Sequence, residues 1–265
     1  MFRPLLCNSR LTVALVGMLL VLTGGALDVG RAAQAPANID PAADQVLRAA
    51  SAYLTALDAF VVTADVIEDG WVDDDLLAES HRQVQLAVRR PDRMWAETRG
   101  DEGHSSYWYD GTTFTLMDWL YGTYAETPAP GSIDAMLDTL AETYDVHTPL
   151  ADLAYSDLYG TLTKGATRGM HLGMVSLDGA EQHHLAFVFE SLEVQLLIPA
   201  GNRPLPSRIV IVYTGEEGRP RFTADLTDWD TNPTLPDEAF RFSAPPGAQA
   251  VEMRPLMRDN GRQRP

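Results

Sequence analysis

His183 and His184 stand side by side in this chain, with His171 upstream, and they are the first residues to test for chemistry. Zinc needs about three or four nitrogen, oxygen or sulfur ligands converging on one point. Adjacent residues on a strand point to opposite faces, so His183 and His184 do not share a metal. His183 falls on the side of Leu185 and Phe187, His184 on the side of Ala186 and Glu190. One of the two is expected to be buried and hydrogen-bonded and the other at the surface, with no metal and no cofactor. The carboxylates Asp73-Asp74-Asp75, just after Trp71, read as a solvated turn rather than a catalytic dyad. There is no Gly-x-Ser-x-Gly elbow, no His-Glu-x-x-His, no phosphate loop and no dinucleotide fingerprint. These absences argue against an enzyme. An enzyme whose site carries no linear motif is the rival class.

The body that must position these residues is acidic and exported. The 265 residues carry a formal charge of -17 with 45% hydrophobic content, enough for a real core. That charge argues against nucleic acid, whose phosphates need basic patches, and against adsorption to anionic lipid. Residues 1–35 read as a secretory signal. Arg3 and Arg10 precede an apolar run from Leu11 to Leu22, and Ala33-Gln34-Ala35 offers a cleavage site. The stretch Leu11–Leu27 is short of the roughly 20 residues that a spanning helix wants. Cys7 lies before the apolar run, where a lipoprotein's modified cysteine would not. Cleavage therefore leaves a chain without cysteine and without thiolate chemistry. The expected location is periplasmic or otherwise extracytoplasmic. The expected division is a signal over 1–35, one domain over 36–252 and a disordered tail over 253–265.

Hydrophobic period places the elements. Asp40 caps and Pro41 begins a helix whose apolar face includes Val46, Leu47, Ala50, Tyr53, Leu54 and Leu57. The period then changes to two through Phe60–Ile67, Gln83–Val88 and Arg93–Arg99. Asp110-Gly111 between Ser105–Tyr109 and Thr112–Asp118 suggests a two-residue type I′ hairpin, with Tyr109 facing Thr112 and Tyr107 facing Phe114. A second helix spans 132–144, capped by Ser132, and a short helix is expected over 150–159. Strands resume at Met170–Leu177, His183–Glu190, Val194–Ile198, Arg208–Tyr213 and Arg221–Trp229, with Asp178-Gly179 as another hairpin turn. Phe240-Arg241-Phe242 is expected to end the fold. The order is not the alternation of a doubly wound sheet. It is α+β: a large antiparallel sheet with one oily face and a few helices packed on it.

Several short runs resemble a known family. They are Arg90-Pro91-Asp92-Arg93, Tyr109-Asp110-Gly111-Thr112-Thr113-Phe114-Thr115-Leu116 with Tyr124-Ala125, Ser132-Ile133-Asp134 and Pro149-Leu150-Ala151-Asp152-Leu153. His184-Leu185-Ala186-Phe187, Leu205-Pro206, Phe240-Arg241-Phe242 and Pro245-Pro246-Gly247-Ala248 follow in order. The set resembles the bacterial predicted periplasmic family known as domain of unknown function twenty-ninety-two, across roughly residues 45–250. Two departures stand out. Gln182 replaces a frequent cysteine, and Val194-Gln195-Leu196-Leu197-Ile198 lacks the tryptophans common there. The resemblance implies a fold like LolA and related lipoprotein carriers, a half-open barrel with helices across its mouth whose concave face binds acyl chains.

On that reading the oily strand faces point into the concavity. The proposed lining is Phe60, Val62, Val84, Leu86, Val88, Tyr107, Tyr109, Phe114, Leu116, Leu185, Phe187, Leu196 and Ile198, extended by Phe189, Ile209 and Ile211. The alternative is that the same residues pack against the helices and leave no cavity, since core and pocket share one sequence pattern. The function expected is binding or carrying a lipid or lipoprotein acyl chain, with helices 41–57 and 132–144 as a lid. Its rival is an envelope interaction or sensor module with a filled interior, and Trp119–Tyr124 is either a lip or docking patch, or an edge strand under the second helix.

Overall fold

Asp40 and Pro41 start the first helix for the reasons their types suggest. In this computed structural model, which describes residues 38–73, 76–147 and 150–255, the Asp40 carboxylate accepts from the Ala42 N–H at the head of α1 (Pro41–Thr55). Ala43, Leu47, Ala50 and Leu54 form its buried stripe. The signal, Cys7, Asp74, Asp75 and most of the expected tail lie outside the described residues.

A two-residue strand, β1 (Asn38–Ile39), precedes α1. After it come β2 (Ala59–Trp71), β3 (Leu77–Arg89), β4 (Arg93–Gly100), β5 (Gly103–Tyr109), β6 (Thr113–Asp118) and β7 (Thr123–Pro128). Then α2 (Ile133–Thr139), capped by the Ser132 hydroxyl, widens into a π turn over Leu140–Tyr144. A 3₁₀ turn (Ala151–Leu153) and α3 (Leu158–Thr163) lead to β8 (Arg168–Leu177), β9 (Ala180–Val188), β10 (Glu193–Pro199), β11 (Arg208–Val212) and β12 (Arg221–Asp230). A further 3₁₀ turn (Asp237–Phe240) precedes β13 (Gln249–Ala250). All thirteen strands join one sheet in the order β1-β8-β9-β10-β11-β12-β2-β3-β4-β5-β6-β7-β13. The α+β class and the large antiparallel sheet are as the alternation of residue types requires. Only the end pairs, β1 on β8 and β13 on β7, run parallel.

The two Asp-Gly turns behave differently. Asp178-Gly179 closes a two-residue hairpin with Leu177 opposite Ala180 and both turn residues at positive φ, as a type I′ turn needs. At Asp110-Gly111 the expected register is corrected: Tyr109 faces Phe114 and Tyr107 faces Leu116. The Asp110 carboxylate accepts from the Thr112 and Thr113 N–H groups and the Thr112 hydroxyl, which holds a longer, side-chain-capped loop. Each residue slides by an even number of positions, so the expected faces survive.

Two further expectations are corrected. The 150–159 segment is not a helix but a 3₁₀ turn and then the start of α3. Leu150 sits at φ 55 and Asp157 caps a fresh helix, which breaks the run in two. Nor does the fold end at Phe242, since β13 still joins the sheet. The Asp237–Phe240 turn docks beside β4, Arg89 pairs with Asp237, and the Phe242 ring packs on Trp108 and Tyr124. The segment after β12 thus crosses the outer face of the sheet to reach β7.

Candidate functional site

The concave face can be followed residue by residue across the pairing. Phe187, Val194, Ile211 and Phe222 face one another in one row, and Leu185, Leu196, Ile209 and Ala224 in the next. Across the sheet centre, Val62 lies opposite Leu86 and Phe60 opposite Val88. Those lead through Ala96 and Met94 to Tyr107 and Tyr109, then to Leu116 and Phe114. Val84 and Ile198 share this face. Every residue proposed from sequence as lining therefore lies on one side of one sheet. Leu116 and Ile209 are half-buried; the other fourteen are buried in the core.

The helices fill the concavity. Buried side chains from α1, α2, the turn at 150–155 and α3 pack directly on the face, in one continuous cluster. Among the described residues a cavity of about 20 Å³ lies between Leu153, Leu158, Leu162 and the strand residues Val194, Leu196, Ile209 and Ile211, room for about one water. An acyl chain needs a few hundred Å³. In this conformation the face is covered.

How the cover is fastened is the main geometric fact of the site. Its pieces are tied to each other by polar bonds. The Tyr159 hydroxyl donates to Asp44 of α1 at 2.5 Å, and Arg48 donates to that hydroxyl at 2.7 Å. The Ser51 hydroxyl accepts from the Tyr159 N–H. Asp134 of α2 accepts from the Ser156 N–H and hydroxyl, and Asp138 accepts from the Tyr155 hydroxyl. To the sheet the cover is joined mainly by apolar packing, with several polar ties. The Tyr144 hydroxyl bonds the Thr127 hydroxyl of β7, the Ile133 N–H bonds the Pro91 carbonyl, and the Asp40 N–H bonds the Gly169 carbonyl. Arg90 donates to the Ala154 and Tyr155 carbonyls, and the Tyr109 hydroxyl donates to the Pro130 carbonyl. Burial lowers the Arg90 pKa, and its Nε finds no partner among the described residues. Asp152, half-buried as a residue, lines the small cavity, and desolvation pushes its carboxyl up to about 7.

The loop end of the same face is polar. Arg82 lies opposite Val66 and pairs with Glu68, which lies opposite Phe222. Burial raises the Glu68 pKa even against Arg82. Gly100, opposite Arg82, leaves that side chain room: a Cβ there would sit 2.4 Å from the Arg82 Cβ. On the same face the Tyr107 and Tyr213 hydroxyls are buried with no hydrogen-bond partner among the described residues. An unmade bond at a buried hydroxyl costs about 1–3 kcal/mol. Burial raises both phenol pKa values, which keeps the protons on.

The histidines make no metal centre. His171 and His183 share one face and bond ring to ring at 3.0 Å, while His184 bonds Gln195 on the other. Both His183 and His184 are half-buried and bonded, so the expected division into one buried and one surface histidine is corrected. No cluster of three or more ligating side chains occurs among the described residues. Trp119 donates to the Ser106 hydroxyl and stacks on His104, leaving Leu120 and Tyr121 exposed on the β6–β7 turn. Sequence reasoning missed Arg82, Glu68, Arg90, Asp152 and Tyr213 as site residues. Arg82 was within reach, since it continues the Val84-Leu86-Val88 alternation.

A family model described as predicted periplasmic protein (DUF2092) matches residues 43–254. No curated protein matches the chain. Among solved structures the chain is similar to the lipoprotein LppX of Mycobacterium tuberculosis, at 15% identity and TM-score 0.45, over 74% of this chain and 98% of that one. It is similar to an uncharacterized conserved protein of Thermus thermophilus, at 13% identity and TM-score 0.45, over 80% and 99%. A LolA superfamily protein of Nitrosomonas europaea aligns at 15% identity and TM-score 0.36, over 76% and 97%. No helix among the described residues is long and apolar enough to cross a membrane.

Proposed function

The chain belongs to the DUF2092 family of predicted periplasmic proteins, and from that premise we propose that it binds the acyl chain of a lipid or lipoprotein against the concave face of its sheet. The observation that carries this reading is the fastening of the cover. Tyr159 binds α1 to α3, and Asp134 and Asp138 bind α2 to the segment before α3. Beneath this internally bonded unit lies an unbroken apolar face. A cover that coheres with itself and rests on the sheet mainly by apolar contact can lift without breaking its own internal hydrogen bonds, giving up only the few polar ties to the sheet.

The mechanism is passive exchange. With the cover down, its apolar side chains fill the concavity and shield the face. With the cover raised, an acyl chain takes their place at about 0.8 kcal/mol per buried CH₂, which offsets the contacts given up. The residues that meet the chain are Phe60, Val62, Leu86, Val88, Tyr109, Phe114, Leu185 and Leu196, with the rest of that face around them. Neither the apolar face nor its polar edge calls for a cofactor.

A second reading is favoured by the filled interior itself: an envelope interaction module whose helices never leave the sheet. Native mass spectrometry of the protein taken from a periplasmic extract without detergent separates the two. A discrete added mass, removed by organic extraction and matching a lipid, is the expected result. A bare mass that stays unchanged after incubation with lipids and lipopeptides would sink the binding reading and leave the filled module.

A further inference from the structure

We propose that Tyr107 and Tyr213 are paired donors for the uncharged carbonyl of an acyl ester or amide, so that the loop end of the face selects esterified or amidated chains over free fatty acids. This rests on the acyl-binding reading above.

The placement comes from the pairing. Tyr107 stands level with Leu86 and Ala96 in the apolar rows, so an acyl chain lying along those rows passes this side chain. Tyr213 follows β11, its N–H bonded to the Pro220 carbonyl, beside Phe222 and Glu68. The Arg82–Glu68 pair lies between β5 and β11 in the strand order. Both hydroxyls are close enough to Arg82 to feel its charge. Tyr107 is completely buried, yet its oxygen meets no acceptor among the described residues, nor does that of Tyr213. Native interiors rarely leave buried polar atoms unpaired, and here two of them lie within the electrostatic reach of the same Arg82.

What the two phenols lack is an acceptor, because each still carries its proton. The surrounding charge decides what kind. Arg82 is already matched by Glu68, and Asp118 stands near Tyr107 while Glu216 and Asp152 stand near Tyr213. Carboxylates outnumber the one guanidinium. A free carboxylate or phosphate entering here meets like charges, whereas an ester or amide carbonyl brings acceptor lone pairs and no charge. In the covered state the hydroxyls are desolvated and unbonded, and a carbonyl supplies what that state withholds.

The test compares methyl palmitate, palmitate and hexadecane, which share a chain and differ only at the head. Affinities are read by displacement of a naphthylamine dye from the wild type and from the Tyr107→Phe/Tyr213→Phe variant. The wild type is expected to bind methyl palmitate more tightly than palmitate. The double variant is expected to bind methyl palmitate about tenfold more weakly, with hexadecane unchanged. Its melting temperature should equal or exceed that of the wild type, because two unbonded hydroxyls are gone. Undiminished ester affinity in the variant, or tighter binding of palmitate than of its ester by the wild type, overturns the inference and leaves the acyl-binding reading standing. The wild-type comparison decides the matter even should the variant fold poorly. If neither protein binds any of the three probes, the acyl-binding reading fails, and this inference with it.

Discussion

Asp152 and His183 are titratable groups on which pH acts in opposite directions. Desolvation raises the Asp152 carboxyl to about 7, so the folded chain holds a proton that the unfolded chain releases near about 3.9. The stability this group contributes is complete below the ordinary value and is lost as pH rises through about 7. Asp152→Asn removes the dependence, so the variant should gain stability relative to the wild type as pH is raised from about 4 to about 8, read by urea midpoints. A pH-independent difference between the two would mean that the carboxyl does not titrate with folding. His183 runs the other way, lowered by desolvation and then by His171. Its contribution is present above the ordinary 6.5 and is lost as pH falls below it. Imidazole titration by NMR should find His183 below 6.5. Arg90 is one of the residues that tie cover to sheet. Arg90→Met should lower stability by about 1–3 kcal/mol through two stranded carbonyls. It should also speed dye uptake, and a destabilised variant with unchanged uptake would show that the tie does not govern opening.

At the scale of elements, Gly169 is a close-approach position rather than a flexible one. A Cβ there would meet the Phe187 ring at 2.8 Å and the Ile39 Cγ2 at 3.0 Å. Gly169→Ala should therefore push β1 off β8 and weaken the docking of α1, detected as faster amide exchange at Asp40, whose N–H bonds the Gly169 carbonyl. Unchanged exchange there would mean that the start of α1 is held without β1. The elements legible in the sequence were those that obey one local rule. Asp40-Pro41 and Ser132 cap helices as expected, and the six strands β2–β7, the helices and the five strands β8–β12 follow the expected order. Local rules failed where a side chain chose between two local solutions. Asp178 takes a positive φ and makes a tight turn, while Asp110 spends its carboxylate on Thr112 and Thr113 and makes a wider one. The polar edge was missed for a different reason, although the alternation through Val84, Leu86 and Val88 does reach Arg82. Arg82 and Glu68 read as surface charges until the pairing of β2 with β3 turns them onto the oily side, and Tyr213 reads as a strand end until its oxygen proves to have no partner among the described residues. The face of the sheet could be read from period, and the emptiness or fullness of the space above it could not.

At the scale of the whole molecule, the curved sheet keeps its two ends apart instead of closing on itself. β1 occupies one end with two residues and β13 the other with two, each laid parallel to its neighbour. On the β7 side the link is made by the Gln249 N–H to the Gly122 carbonyl and the Val251 N–H to the Tyr124 carbonyl. A bare strand edge is a template on which another copy of the same chain can add by main-chain pairing. An open sheet leaves two such templates, and a few residues of backbone, delivered from opposite ends of the described chain, blunt both. Ending the protein after Pro246 would strip one of them, together with Met253, which packs against the edge of the core, while leaving every fully buried core residue in place. The expected product is a folded chain with its native far-ultraviolet spectrum that assembles into dimers and longer oligomers with rising concentration, seen by size-exclusion chromatography with light scattering. A truncated chain that stays monomeric would locate the barrier to polymerisation elsewhere on β7. Otherwise, the last strand's two residues serve solitude: they let a protein with an open sheet live at high concentration without copying itself onto its neighbours.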